Sequence, residues 1–145
     1  LTAEKTFAIV DNIYIIERLC MGTNYYVAKN KCECCKRYDE EFHIGKSSSG
    51  WAFTFQGYKY DGLVSWKFYK EYLKDKIIMD EYGEQISYDE FVYMVETYKS
   101  PNYINPHNGI KNHLHNDAAR KQGYFNPDYD WDDEDGYSFG TREFS

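Results

Sequence analysis

The chain has 145 residues, a formal net charge of −7 and a hydrophobic share of 42%. That length supports one domain with a true core and is short for two. The negative balance argues against non-specific nucleic-acid binding, which depends on lysine and arginine displacing counterions from phosphates. Aromatics make up 19% of the chain, including 16 Tyr and 9 Phe. This is enough apolar bulk to offset chain entropy, so an ordered globular chain is expected. No run reaches the length of a membrane span, and no membrane contact is expected.

Residues 1–20, LTAEKTFAIVDNIYIIERLC, place Asp11, Glu17 and Arg18 within an apolar stretch, unlike the clean apolar region of a signal peptide. Met21 reads as a natural beginning. Residues 1–20 are therefore read as an N-terminal extension and 21–145 as a single domain with an acidic C-terminal loop. A cytosolic setting follows, in which four cysteines point to thiols or a metal rather than to disulfides.

TNYYVAKNKC predicts a strand over 24–28 that ends in a turn. In SGWAFTFQGY, Trp51, Phe53 and Phe55 alternate with Ala52, Thr54 and Gln56, the period of a half-buried strand. Leu63, Trp66, Tyr69 and Leu73 recur at helical spacing. IIMDEYGEQIS predicts a tight hairpin. Ser87 followed by Glu90 forms a capping box, and Phe91, Met94, Val95 and Tyr98 make one helical face. IKNHLHNDAARKQG follows a Pro101–Pro106 loop and stops at Gly123. A final strand is expected within 137–144. The sum is an α+β fold, a small antiparallel sheet packed with two or three helices in a single domain.

Cys32 and Cys35 form C-x-x-C, a spacing that wraps a turn around zinc. Two further ligands are needed. His113 and His115 supply them if the backbone there is extended, so that both point to one face; His43 is another candidate. Cys34 would be a spectator. The competing reading is a turn of reduced thiols without metal. A thioredoxin-like role is rejected, because KRYDEEF shows no apolar helical face.

HIGKSSSGW is not a P-loop, since Glu40 stands where the motif requires glycine and a strand pattern follows. Gly45 and Gly50 still permit close backbone approach to an anion. His43, Lys46, Ser47 and Ser48 would hold phosphate, and Trp51 would stack on a base. The alternative is a polar hairpin loop. Asp128, Asp130 and Asp132 have calcium-loop spacing, but Asp133 and Phe139 replace the required glycine and glutamate, so a solvated acidic loop is expected. His107, His113 and His115 suggest an HNH-type metal-dependent nuclease or phosphodiesterase, although a proline-containing turn after a histidine is missing and the net charge disfavours a duplex.

The block YYVAKNKCECCKRYDEEFHIGKSSSGWAFTF, with the DEYGEQIS turn and the terminal EFS, resembles a group of small tailed-bacteriophage proteins with a cysteine knuckle followed by HIGKSS and Gly-Trp. The resemblance implies an accessory, anti-defence role in the host bacterial cytoplasm and no particular mechanism. The expected function is non-enzymatic capture of a phosphorylated small molecule such as a nucleotide immune signal. The alternatives are inhibition of a host defence protein through the acidic surface, and the metal-dependent HNH-like activity. Homo-oligomerisation stays open.

Overall fold

The computed structural model describes residues 22–29, 32–35, 37, 40–48, 50–106, 108–123 and 125–142. The N-terminal extension expected at 1–20 lies outside them, as does His107. The fold is α+β, with a seven-stranded, mostly antiparallel open sheet in the order β5-β4-β1-β2-β3-β7-β6. The strands are β1 (Thr23–Lys29), β2 (Glu40–Ser47), β3 (Thr54–Gln56), β4 (Ile77–Asp80), β5 (Gln85–Ile86), β6 (Asp130–Asp132) and β7 (Ser138–Gly140). Three short α-helices are described: α1 (Trp66–Tyr72), α2 (Tyr88–Glu96) and α3 (Asn112–Lys121). The sheet is thus larger than the small one expected, and it dominates over short helices.

β1 runs between β2 and β4, antiparallel to both. Its Tyr25 and Val27 enter the core. The expected strand around Phe53 shrinks to three residues, and Ala52, Phe53, Phe55 and Gln56 are all buried, so the clean alternation fails. The reason lies far along the chain. β7 pairs parallel to β3, and β6 pairs antiparallel to β7. β3 is thereby an interior strand, and Gln56 donates its side-chain amide to the Gly140 carbonyl at 3.2 Å. The acidic segment expected to be a loop therefore contributes β6 and the turn into β7.

Helix starts follow local chemistry. Ser65 caps α1, accepting from the Phe68 N–H, and Ser87 caps α2, accepting from the Glu90 N–H at 3.1 Å. Such caps contribute about 1 kcal/mol each. Leu63, Trp66, Tyr69 and Leu73 are buried as their spacing demands, together with Phe91 and Val95 of α2. Tyr98 lies beyond the end of α2 and is exposed.

The aromatics meet in the core. Phe55 stacks on Phe139 at 4.9 Å, and Phe53 meets Phe91 edge-on at 5.5 Å. Well-placed pairs of this kind add about 0.5–1.5 kcal/mol beyond burial alone. Tyr69 is fully buried and donates its hydroxyl to the Gln56 carbonyl at 2.5 Å, tying α1 to β3. Among the described residues, no helix is long and apolar enough to cross a membrane.

Candidate functional site

The sheet separates the expected anion ligands. Strand pairing sets Lys46 opposite Asn24 and His43 opposite Tyr26, with a bulge between the two pairs. His43 Nε2 lies 3.0 Å from Asn24 Oδ1, and the His43 ring is 5.1 Å from the Tyr26 ring. His43 and Lys46 therefore share a face of the sheet, both half-buried, with the lysine stem lying over Gly22. Ser47 points the other way. It is fully buried, and its Oγ has no hydrogen-bond partner among the described residues.

Ser48 is half-buried and presents its carbonyl oxygen, which accepts from the Trp51 N–H at 3.2 Å and from Lys99 Nζ at 2.8 Å. Trp51 itself is half-buried. The glycine-flanked loop expected from Gly45 is strand through Ser47, followed by a turn. Gly45 is a packing position, because a Cβ there would run into the Thr54 carbonyl oxygen and the Phe53 ring. Lys99 went unseen in the sequence reading. It is buried, and its own carbonyl accepts from the Phe53 N–H at 2.9 Å, so it clamps this turn to the end of α2. A lysine just past a helical pattern carries no local signal of that role.

Cys32, Cys34 and Cys35 are exposed in one turn, in which the Cys32 N–H donates to the Arg37 carbonyl at 2.8 Å. The Cys32 thiol is held below its ordinary value, first by the Cys35 N–H, then by the Cys35 thiol and the Cys34 N–H. His113 and His115 lie in α3, and positions two apart on a helix do not face each other. The extended backbone that would have paired them is absent. His113 Nδ1 instead lies 3.4 Å from Asp117 Oδ2. Of His115, only its place in the helix is described. Among the described residues, no group of three or more His, Cys, Asp or Glu could hold a metal ion.

An open cavity of about 250 Å³ lies elsewhere, where the start of α1, the end of α2, the following loop and the β6–β7 turn converge. Trp66 and Tyr137 form its aromatic wall, Glu96 and Asp135 bring carboxylates, and Ser100 and Asn102 add polar edges. Each wall is fixed from behind. Asp133 accepts the backbone N–H groups of Trp66, Tyr137 and Asp135 at 2.8, 2.9 and 3.0 Å, so one carboxylate joins α1 to the acidic turn. Burial nevertheless pushes the Asp133 carboxyl above its ordinary value, against those three hydrogen bonds. The Tyr137 hydroxyl donates to the Val95 carbonyl at 2.8 Å, and burial raises its pKa as well.

The loop wall is held by Asn112, which is buried and donates to the Tyr98 and Ser100 carbonyls at 3.0 and 2.9 Å. At Gly136 a Cβ would make only ordinary contact with the Pro101 ring, but its φ of 89° is one that other residues rarely adopt. The sequence reading found the acidic run but not this cavity, since its walls come from four separate segments. With Asp135 and Glu96, the latter already paired with Lys70, lining it beside an indole and a phenol, the cavity suits a cationic group such as a lysine or arginine side chain.

No protein-family model, no protein of curated function and no solved structure matches this chain.

Proposed function

We propose that the protein is a non-enzymatic binding protein that engages a basic partner protein through the acidic cavity between α1, α2 and the β6–β7 turn. The carrying observation is the meeting of Glu96 and Asp135 with Trp66 and Tyr137 around one open cavity. The whole-chain charge of −7 adds long-range attraction for a basic surface, which speeds encounter and selects partners by charge. In the bacteriophage setting implied by the resemblance, the partner is a host defence protein met in the bacterial cytoplasm.

The test is affinity capture from bacterial lysate with the wild type and two variants. The double variant Glu134→Gln/Asp135→Asn should lose the captured protein, and Lys46→Ala should retain it. Asp133 is left intact because its hydrogen bonds hold the fold together. Equal capture by all three would end this reading.

A second reading, capture of a phosphorylated small molecule, is favoured by one observation: His43 and Lys46 share a sheet face beside Asn24. It takes His43, Lys46 and the half-buried Trp51 as ligand contacts. Calorimetry with cyclic and ADP-ribose-type nucleotides tests it, with Lys46→Ala as the variant that should lose binding.

A further inference from the structure

Trp66 and Tyr137 shape the acidic cavity but give a ligand little ring face, since each is only 4% exposed. Accessible rings lie beside them. Tyr93, Tyr98 and Tyr103 form a row in which each ring meets the next edge-on, at 5.8 Å and 81° and then at 5.7 Å and 83°. Both ends of the row adjoin the cavity lining. Tyr93, which is 59% exposed, stands three residues before Glu96 on α2, a spacing that makes the two neighbours on the helix surface. Tyr103 follows Asn102, and its N–H donates to the Ser100 carbonyl at 3.2 Å, so the far end stays with the loop that walls the cavity.

Charge decides what fits this face. Glu90 lies three residues before Tyr93 and Glu96 three after it, both exposed, so a carboxylate flanks the ring on either side along α2. Both hydrogen bonds of Glu96 fall on Oε1, from Trp66 and from Lys70, which leaves Oε2 to a ligand. Lys99, the lysine next to Tyr98, is buried and donates to the Ser48 carbonyl. Aromatic faces between carboxylates favour a planar cation. A guanidinium stacks on a phenol ring and forks onto a carboxylate, which a compact ammonium does less well. We propose that this tyrosine face is the docking strip for an extended, arginine-bearing segment of the basic partner. The proposal rests on the reading of the cavity as a partner site. Alternate residues of an extended segment share a face about 7 Å apart. Side chains three apart on a helix are separated by about 5–6 Å at Cβ. An Arg-x-Arg segment therefore sets one guanidinium against Glu96 in the cavity and the other on the Tyr93 ring.

The test titrates the 145-residue chain with the capped peptide Gly-Arg-Gly-Arg-Gly and its lysine counterpart, read by calorimetry and by NMR of the tyrosine rings. The arginine peptide should bind more tightly than the lysine peptide by about two- to five-fold and shift the Tyr93 and Tyr98 ring signals. Tyr93→Leu should weaken the arginine peptide by a similar factor and remove the preference for arginine. Tyr93→Phe should recover what Tyr93→Leu loses, because the ring rather than the hydroxyl makes the contact. Tyr93 is exposed, so unchanged circular dichroism separates lost binding from lost fold. Equal affinity for the two peptides, a Tyr93→Leu variant that binds like wild type, or no binding of either peptide would overturn the proposal. The cavity reading is judged separately, by the lysate capture with Glu134→Gln/Asp135→Asn. If that double variant loses the partner while Tyr93→Leu keeps the arginine preference, the cavity reading stands and the docking strip falls.

Discussion

Trp66 and Glu96 meet at the cavity through one hydrogen bond, in which the indole Nε1 donates to Oε1 at 3.2 Å. The same oxygen accepts from Lys70 Nζ at 2.6 Å. One carboxylate thus orients the indole that lines the cavity and engages Lys70 of α1.

The two effects of Glu96 can be separated. The Lys70 and Glu96 side chains are 43% and 41% exposed, and ion pairs this open contribute about 0.2–1 kcal/mol. Glu96→Gln keeps an acceptor for the indole. Its urea midpoint should therefore correspond to a loss of no more than about 1 kcal/mol. Affinity for the captured basic protein should fall by about ten-fold or more, because a charge partner is gone. A variant that binds normally would remove Glu96 from the interface.

Asp133 gives a pH test with a definite sign. Its folded carboxyl titrates above the ordinary 3.8, because burial disfavours the charge more than the three N–H donors favour it. The associated stability is fully present below the unfolded value and is lost as pH rises through the folded value. Protonating this group in acid should therefore not unfold the protein. A carboxyl-carbon NMR titration should place the Asp133 midpoint above 3.8, and a midpoint below it would reverse the assignment. Asp133→Ala, which strips the acceptor from three backbone N–H groups, should cost about 2–3 kcal/mol in denaturant unfolding.

Gly45 distinguishes packing from ligand binding. A methyl group there meets backbone atoms of β3 and the packed ring of Phe53 just before it, which cannot swing away as a flexible side chain could. Gly45→Ala should destabilise by about 2 kcal/mol or more, measured by thermal or urea unfolding. An unchanged midpoint would mean that β2 and β3 are not in contact at Gly45.

These residues also show which parts of the fold the sequence could disclose. The Ser87 cap, the Leu63–Trp66–Tyr69–Leu73 face and the 77–86 hairpin are local patterns, and each forms where its spacing says. β1 formed where TNYYVAK predicted it. HIGKS looked like a loop because its glycine and serine carry no strand propensity. Yet Gly45 is there to let β3 approach, and Ser47 is turned inward by the period of the strand. That fact exists only once β3 is beside it. The parallel partnership of β3 with β7 joins the middle of the chain to its end, so no local pattern could announce it. The cavity shares that origin. Its Asp135 was visible in the acidic run, but Trp66, Glu96 and Asn102 reach it from elsewhere.

Ser47 permits the last test, because its burial and its chemistry pull in opposite directions. A buried hydroxyl lacking a partner costs about 1–3 kcal/mol relative to one left in water. Ser47→Ala removes that cost along with one polar atom, and it keeps the small volume that β2 requires next to Thr23. Its stability in urea should match or exceed that of the wild type. Nucleotide binding, if calorimetry detects it, should be unaffected by Ser47→Ala and abolished by Lys46→Ala, since the two side chains leave the sheet on opposite faces. A Ser47→Ala variant less stable by more than about 1 kcal/mol would mean that the hydroxyl has a native hydrogen-bond partner after all.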